Sequence, residues 1–158
     1  KVSDGNLVMR GLSSTTGWRI TNKTLANGYI EMTGKMVDCS GIDNFGIYFR
    51  VPNGRTANSG YLFGVSCEGQ YSLRKWDGEE MTSIIYWKNN DAINKGSNKL
   101  NRLGVMLDGY EISLYVNGEK VGSAKDDDYG MGYVGIFIGA KETHDLTVMW
   151  DDLAIWKK

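Results

Sequence analysis

The sequence predicts an all-β protein, built as a two-sheet antiparallel β-sandwich, and three observations indicate it. The chain contains 21 Gly, 9 Tyr and 5 Trp but only 1 Pro, a composition typical of strands joined by tight turns. Short runs that alternate apolar and polar residues recur with turn signals about every 8–12 residues. No segment has the apolar repeat of a helix. At 158 residues the chain has the length of one domain, and we assign residues 1–158 to a single module.

The charge balance and the short apolar runs argue against two classes of partner, nucleic acid and membrane. The formal net charge is −1 and both signs are interspersed, so no basic stripe for nucleic acid exists. No apolar run approaches the ~18–20 residues of a membrane-spanning helix. The chain begins at Lys1 without Met, which we interpret as a module cut from a longer precursor whose signal peptide was lost with the cut. We expect a monomer.

The clearest early strand is Phe45 to Val51. Its alternation predicts one face made of Phe45, Ile47, Phe49 and Val51, with Tyr48 and Arg50 on the opposite face. Before it, residues 6–10 form a short strand, and residues 13–17 form a polar cluster. The alternating run 29–37 contains Gly34, which predicts a bulge or bend.

The stretch Tyr61 to Trp87 predicts three consecutive strands joined by two tight turns. Glu68-Gly69 and Asp77-Gly78 supply the turns, because Gly accepts the positive φ that short hairpin loops need. Later hairpins are predicted at Asp108-Gly109 and Asn117-Gly118. Residues 89–99 are interpreted as a loop or a single helical turn. The last strands are 133–138 and 146–156.

Two Cys, Cys39 and Cys67, each follow a strand-like run. A bridge between strand ends is geometrically conceivable, and two buried thiols are equally ordinary. The sequence leaves both alternatives open.

The order of several motifs resembles a known group of bacterial extracellular domains. These motifs are Gly46-Ile47-Tyr48-Phe49-Arg50, Tyr61 to Ser66 leading to Gly69-Gln70-Tyr71, Ile85-Tyr86-Trp87, Leu114 to Gly118, and the closing Trp150-Asp151-Asp152-Leu153. Together they are similar to the concanavalin A-like, or laminin G-like, jelly-roll superfamily over roughly residues 45–156. The resemblance implies a jelly roll, and a fold alone does not define a function.

Among modules of this type and size, the resemblance most often implies a secreted carbohydrate-binding module. Such a module binds a polysaccharide or oligosaccharide and targets an attached catalytic domain, such as a glycoside hydrolase, or a surface protein. The alternatives are a laminin G-like protein-interaction or sensor domain, and a weak or lost glycosidase.

Catalysis is not expected. Retaining glucanases of the superfamily carry Glu-x-Asp-x-x-Glu, which holds two carboxyl groups about 5 Å apart, and this motif is absent. His144 is the only His, and no second His or thiol is clearly near it, so a triad or zinc site is not expected.

A sugar site needs an aromatic plane for the apolar ring face and polar groups for the hydroxyls. If the faces of Phe49 and Leu73 are core, one outer sheet face carries aromatic and cationic residues together. We predict it to be a concave binding face formed by Tyr48, Arg50, Arg74 and Trp76, joined by Trp87 or Tyr86. The competing interpretations are a core role for Trp87 and surface ion pairs for both Arg. Trp18, Trp150 and Trp156 are interpreted as packing residues.

The resemblance also implies a structural calcium. Asp151 or Asp152 in the closing strand would bind it together with backbone oxygens of the N-terminal region, because calcium prefers oxygen ligands. The acidic loop Asp126 to Asp128 is the alternative site, and plain solvated carboxylates are the third interpretation.

Overall fold

A computed structural model describes all residues, 1–158. It contains thirteen β-strands and no helix, and therefore no helix that could cross a membrane. The strands are β1 (Val2–Ser3), β2 (Asn6–Gly11), β3 (Thr15–Leu25), β4 (Gly28–Met36), β5 (Asn44–Val51), β6 (Gly60–Ser66), β7 (Gln70–Trp76), β8 (Met81–Asn89), β9 (Asn101–Asp108), β10 (Glu111–Val116), β11 (Glu119–Lys125), β12 (Gly132–Ala140) and β13 (Leu146–Lys157).

The strands form two antiparallel sheets. A seven-stranded sheet has the order β1-β2-β13-β4-β9-β10-β11, and a six-stranded sheet has the order β3-β12-β5-β6-β7-β8. The predicted all-β sandwich is confirmed, as are the hairpin turns at 67–69, 77–80 and 117–118, while the hairpin turn predicted at Asp108-Gly109 lies one residue later, at 109–110. Residues 13–17 differ from the prediction of a polar cluster, since β3 begins at Thr15.

The core lies between the inner faces of the two sheets. Phe45, Ile47 and Phe49 of β5 are 0% exposed, and so are Leu103, Val105 and Leu107 of β9. These are the alternate positions that the sequence assigns to the interior. Alternation works here because successive side chains of a strand point to opposite faces.

Gly34 serves close packing rather than a bulge. β4 pairs in unbroken register with β9, and its pairing with β13 is regular from Met36 to Thr33. A Cβ at Gly34 would lie 3.0 Å from the Phe45 ring and 3.2 Å from the Trp150 ring. The two rings pack edge to face, with centroids 5.2 Å apart. The predicted bulge at Gly34 is therefore wrong, and the position needs Gly because an aromatic pair fills its space.

The alternation of β5 breaks at Arg50, which adopts a positive φ of 50°. The register with β12 shifts between Tyr133 and Gly135, opposite this point. Val51 therefore joins a small cluster on the outer side of the sheet with Tyr48. The prediction that Val51 shares the inner face with Phe49 is wrong, because the bulge rotates the strand by one position.

Cys39 and Cys67 form a disulfide, with Cα atoms 5.9 Å apart. The bridge joins the segment after β4 to the turn between β6 and β7. Backbone hydrogen bonds surround it: the Cys67 amide donates to the Asp43 carbonyl (2.9 Å), and the Gly96 amide donates to the Cys67 carbonyl (2.8 Å). The alternative that the sequence left open is thus decided in favour of the bridge.

Candidate functional site

The outer face of the six-stranded sheet carries a second apolar cluster, separate from the main core. Its buried members are Tyr48, Val51, Ala57, Leu62 and Phe137, each at most 2% exposed. No second sheet covers this side, so the burial comes from side chains that surround the centre, including Ile20, Trp76 and Tyr133. We call this surface the recessed face.

A cavity of about 160 Å³ opens on the recessed face. Five of its six lining residues are apolar or aromatic: the lining consists of Thr16, Trp18, Tyr48, Leu62, Trp76 and Met81. Trp18 packs edge to face on Tyr48, with centroids 6.5 Å apart, and is 39% exposed. The Tyr48 hydroxyl donates to the Ala57 carbonyl at 2.9 Å. The cavity thus has a fixed floor and an indole wall open to solvent.

Arg74 lies beside this cavity on the recessed face. Its guanidinium carbon is 5.4 Å from the centroid of the Trp87 ring and 5.6 Å from that of Phe137. One terminal nitrogen donates to Asn44 Oδ1 at 3.2 Å, while the buried Nε has no partner. Burial lowers the pKa of Arg74, because it disfavours the charged form.

Lys141 provides a second cation on the same face. It directly follows β12, and its Nζ donates to Thr16 Oγ1, a residue of the cavity wall, at 3.4 Å. Burial lowers the pKa of Lys141, and the nearby charge of Arg74 lowers it further. No ion pair of the protein includes Arg74 or Lys141.

Asp43 fixes the segment that carries Lys141. The Asp43 carboxylate is fully buried and accepts hydrogen bonds from the backbone amides of Ser40, Lys141, Glu142 and Thr143. The Thr143 hydroxyl also donates to it. Because Asn44 is the next residue, Asp43 and Asn44 together position both cations of the recessed face.

The six strands of this sheet contain cations and no carboxylates. Their charged residues are Arg19, Lys23, Arg50, Arg74, Lys75 and Lys88, and none is Asp or Glu. The seven-stranded sheet mixes both signs, as in Glu31 and Lys35 of β4. Although the overall net charge is −1, the charged residues of the six strands are therefore all positive, while those of the seven-stranded sheet include both signs.

The structure brings four of the predicted binding residues together. Tyr48, Trp76, Arg74 and Trp87 all lie on the recessed face. Arg74 is not in a surface ion pair, and Trp87 is partly buried against Arg74 rather than in the main core. Tyr86 lies on the edge strand β8 and is 75% exposed.

Arg50 does not lie on this surface. It is 1% exposed, and its guanidinium donates to the carbonyls of Ala26 (2.8 Å), Gly109 (2.5 Å) and Tyr129 (3.2 Å). The expected placement of Arg50 beside Tyr48 on the outer surface is therefore corrected. The physical reason is the positive φ at Arg50, which breaks the alternation on which that expectation rests.

Sequence reasoning missed several residues of the recessed face. Trp18 was expected to be a packing residue, yet it lines the open cavity. Trp156 on the other sheet is also 52% exposed, whereas Trp150 is buried as expected. Lys141 and Asn44 do not belong to any sequence motif that predicts a binding role. The one local signal for Lys141 was its position three residues after the end of the predicted strand 133–138.

The two acidic sites proposed for calcium differ in structure. In the acidic loop, Lys75 Nζ lies 2.7 Å from Asp126 and 2.6 Å from Asp128, and Asp126 also accepts from Tyr61. Asp151 and Asp152 are exposed at a register shift of β13. No group of three or more His, Cys, Asp or Glu side chains that could hold a metal is present. A calcium ion at Asp151 and Asp152 would therefore need backbone oxygens as further ligands.

His144 lies near a hydroxyl that the sequence did not link to it. Ser13 Oγ is 3.2 Å from His144 Nδ1, and Asp145 Oδ2 is 3.7 Å from Nε2. The side chains of His144 and Asp145 are 74% and 65% exposed. Such an exposed array lacks the buried, oriented carboxylate of a catalytic triad.

The fold and the sequence define the class of the protein. The two sheets form a concanavalin A-like jelly roll, as the resemblance implied. A model of the family described as 3-keto-alpha-glucoside-1,2-lyase-like domain matches residues 1–155. The chain therefore belongs to this family. No curated protein matches the chain.

Solved structures show the same fold at low sequence identity. The carbohydrate-binding module CBM66 from Bacillus subtilis has a TM-score of 0.76 and 18% identity, with 92% of this chain and 84% of that chain covered. A putative glycosyl hydrolase from Parabacteroides distasonis has a TM-score of 0.66 and 13% identity, covering 99% and 88%. The Caenorhabditis elegans galectin LEC-6 has a TM-score of 0.56 and 17% identity, covering 96% and 100%. These similarities concern the fold alone.

Proposed function

We propose that this domain binds a polysaccharide or oligosaccharide on the recessed face and is not itself catalytic. The observation that carries the proposal is the open cavity walled by Trp18 and Trp76, next to Arg74 and Lys141. The fold shared with a carbohydrate-binding module and a galectin supports it.

Each part of the surface suits one part of a sugar. The indole rings of Trp18 and Trp76 offer apolar planes for the CH face of a pyranose or furanose ring. Arg74, Asn44 and Lys141 offer donors and an acceptor for the ring substituents. Trp87 on β8 extends the surface toward the sheet edge, where a longer chain would continue. Tyr86, exposed on the same edge strand, is the next aromatic residue such a chain could contact.

The charge of the sheet supports a non-catalytic role. Glycosidases generally need two carboxyl groups on either side of the scissile bond, about 5–10 Å apart. The six strands behind the recessed face carry no Asp or Glu. In this proposal the domain is a monomer that targets an attached catalytic domain or surface protein to its substrate.

Secretion is the localisation that fits this role. The disulfide between Cys39 and Cys67 supports it, since structural disulfides are maintained in oxidising compartments. The alternative to carbohydrate binding is a laminin G-like domain that binds another protein instead of a sugar.

The family description favours lyase chemistry on a 3-keto-glucoside as a second candidate function. Elimination needs a base that removes the proton from C2, next to the carbonyl group, while the bond from C1 to the glycosidic oxygen breaks and that oxygen takes up a proton. Lys141, whose pKa is lowered by burial and by Arg74, is the side chain of the recessed face suited to that role. Loss of a 3-keto-glucoside, followed by NMR and abolished in Lys141→Met, would favour this candidate over a binding module.

A glycan array with a matched pair of variants tests the leading proposal. We expect binding to a saccharide, weakened about 5- to 30-fold in Trp18→Ala because one stacked indole contributes about 1–2 kcal/mol. Trp156→Ala is the matched control, because Trp156 is 52% exposed on the opposite sheet. Equal affinity of both variants would exclude the recessed face, and no binding to any glycan would favour the protein-interaction alternative.

A further inference from the structure

We infer that the saccharide bound at the recessed face carries an anionic group, a carboxylate or a sulfate, which binds between Arg74 and Lys141. This inference rests on the proposed carbohydrate-binding function and specifies its ligand class. It predicts that an acidic polysaccharide binds more tightly than its neutral counterpart.

The two cations have no anionic partner in the protein. Arg74 donates one hydrogen bond to the neutral amide of Asn44, and Lys141 donates to the hydroxyl of Thr16. Neither residue forms a salt bridge, although both are partly buried. Buried charges are normally paired. Because Arg74 and Lys141 have no anionic partner in the protein, we infer that a bound ligand supplies the negative charge.

The donors of Arg74 are also incompletely used. A guanidinium has five N–H donors in a planar fork. Within the protein the Arg74 side chain makes one hydrogen bond, from a terminal nitrogen to Asn44 Oδ1, and the ring centroids of Trp87 and Phe137 lie 5.4 and 5.6 Å from its guanidinium carbon. The remaining donors of such a fork match the two oxygens of a carboxylate, or two oxygens of a sulfate.

The protein brings the two like charges together and holds them there. Burial and mutual repulsion both lower the pKa of Lys141, so the arrangement is unfavourable without a ligand. The five hydrogen-bond donors on Asp43 nevertheless anchor the Lys141 segment. An anion between the two cations would relieve the repulsion, since opposite charges in a partly desolvated site attract strongly.

Other cations nearby are excluded as the anion site by their contacts. Lys75 forms ion pairs with Asp126 and Asp128, and Arg50 is buried and donates to three backbone carbonyls. Glu142, the acidic neighbour of Lys141, places its carboxylate against Gly41, in the space that a side chain at that position would need. Arg74 and Lys141 are therefore the pair that remains available.

The test compares acidic polysaccharides with carboxyl-reduced forms of the same chains, in which CO2⁻ becomes CH2OH. Polygalacturonate, alginate and hyaluronan are assayed by affinity electrophoresis and calorimetry, and dextran sulfate against dextran tests for sulfate. We expect at least one acidic form to bind 10-fold or more tightly than its neutral form. Tighter binding of an acidic polysaccharide than of its carboxyl-reduced form indicates that the site binds a carboxylate. Tighter binding of dextran sulfate than of dextran, with no such difference in the other pairs, indicates that it binds a sulfate.

Matched variants separate a specific site from general charge attraction. Lys141→Met should abolish the preference for the acidic form, whereas Lys120→Met, an exposed change of the same charge on the seven-stranded sheet, should leave it intact. Equal losses in both variants, or equal binding of acidic and neutral forms, overturn the inference while sugar binding stands. Failure to bind any acidic or neutral saccharide, on the array included, overturns the proposed function as well.

Discussion

At the residue scale, Asp43 shows how one buried side chain positions a site without touching its ligand. Its carboxylate is 0% exposed and accepts hydrogen bonds from the backbone amides of Lys141, Glu142 and Thr143. Burial, the largest influence, opposes ionisation, but the hydrogen bonds from Thr143, Glu142 and Ser40 outweigh it and lower the pKa of Asp43. The ionised Asp43 carboxylate thus stabilises the segment that contains Lys141 and holds Lys141 in position.

We expect Asp43→Asn to lower the free energy of unfolding at pH 7 by about 2–4 kcal/mol, because charge-assisted hydrogen bonds are lost. The folded pKa lies below that of the unfolded chain. The stabilisation is therefore complete above about pH 4 and lost as the pH falls through the folded value. Urea unfolding from pH 7 to 3 should show the difference from wild type shrinking below pH 4. Asp91→Asn, at an exposed position, is the control, and a pH-independent difference would contradict the ionised role.

Arg50 and Arg74 form a natural comparison, since they share a residue type but not a role. Arg50 donates hydrogen bonds to three backbone carbonyls inside the protein, whereas Arg74 makes one hydrogen bond to a side chain at the open face. One belongs to the stability of the fold, and the other to the proposed binding surface.

At the element scale, Arg50 joins three connections. Ala26 lies between β3 and β4, Gly109 between β9 and β10, and Tyr129 between β11 and β12. These turns meet at one end of the sandwich. The Arg50 side chain therefore links these three connections through hydrogen bonds to their carbonyl groups.

Arg50→Met should lower the free energy of unfolding by about 3 kcal/mol, since buried carbonyls lose a charged donor, and should leave sugar affinity unchanged. Arg74→Met should do the reverse: stability changes little, because an uncompensated cation is removed, while affinity falls. Denaturant unfolding and calorimetric titration of both variants measure the two effects. Similar behaviour of the two variants would contradict this division of roles.

The closing strand β13 carries the expected calcium site, which stays a prediction. Asp151 and Asp152 are exposed where its register with β4 shifts, and Asp152 has a positive φ of 50°. If calcium binds there, added CaCl2 should raise the melting temperature and EDTA should reverse the rise. The rise should vanish in Asp151→Asn with Asp152→Asn and persist in Asp127→Asn. Loss in Asp127→Asn instead would identify the acidic loop, and an unmoved melting curve would exclude calcium.

At the scale of the whole molecule, the disulfide restricts the unfolded chain. Cys39 and Cys67 are 28 residues apart in sequence, and closing a loop of this length removes unfolded-state entropy worth about 3–4 kcal/mol. The bridge lies beside Asp43, whose carbonyl accepts from the Cys67 amide. Cross-link and carboxylate thus stabilise the same end of the sandwich.

Removing the bridge should lower the melting temperature by about 10 °C for a chain of this size, with the fold retained. A variant with both Cys39→Ala and Cys67→Ala, and the wild type with reductant, should show similar losses by calorimetry. The double variant is the control for reduction, because reductant should not shift its melting temperature. An unchanged melting temperature in both would show that the bridge contributes nothing.

The sequence by itself determined the architecture. The alternation in β5 and β9, together with Gly at the turns, is sufficient for the sandwich and its core, because both signals act over a few residues. The same local pattern identified Tyr48, Arg74 and Trp76 as neighbours on one face, since β5, β6 and β7 are consecutive hairpin strands.

Only the tertiary structure decided which side chains meet across long separations. The contacts of Arg50, the approach of Lys141 to Thr16 and the pairing of the two Cys join segments that are 24 to 125 residues apart. A period-two pattern contains no information about such contacts, because a single positive φ reverses the faces of a strand. The strands were therefore predictable, while the two-cation site beside the Trp18 cavity emerged only from their packing.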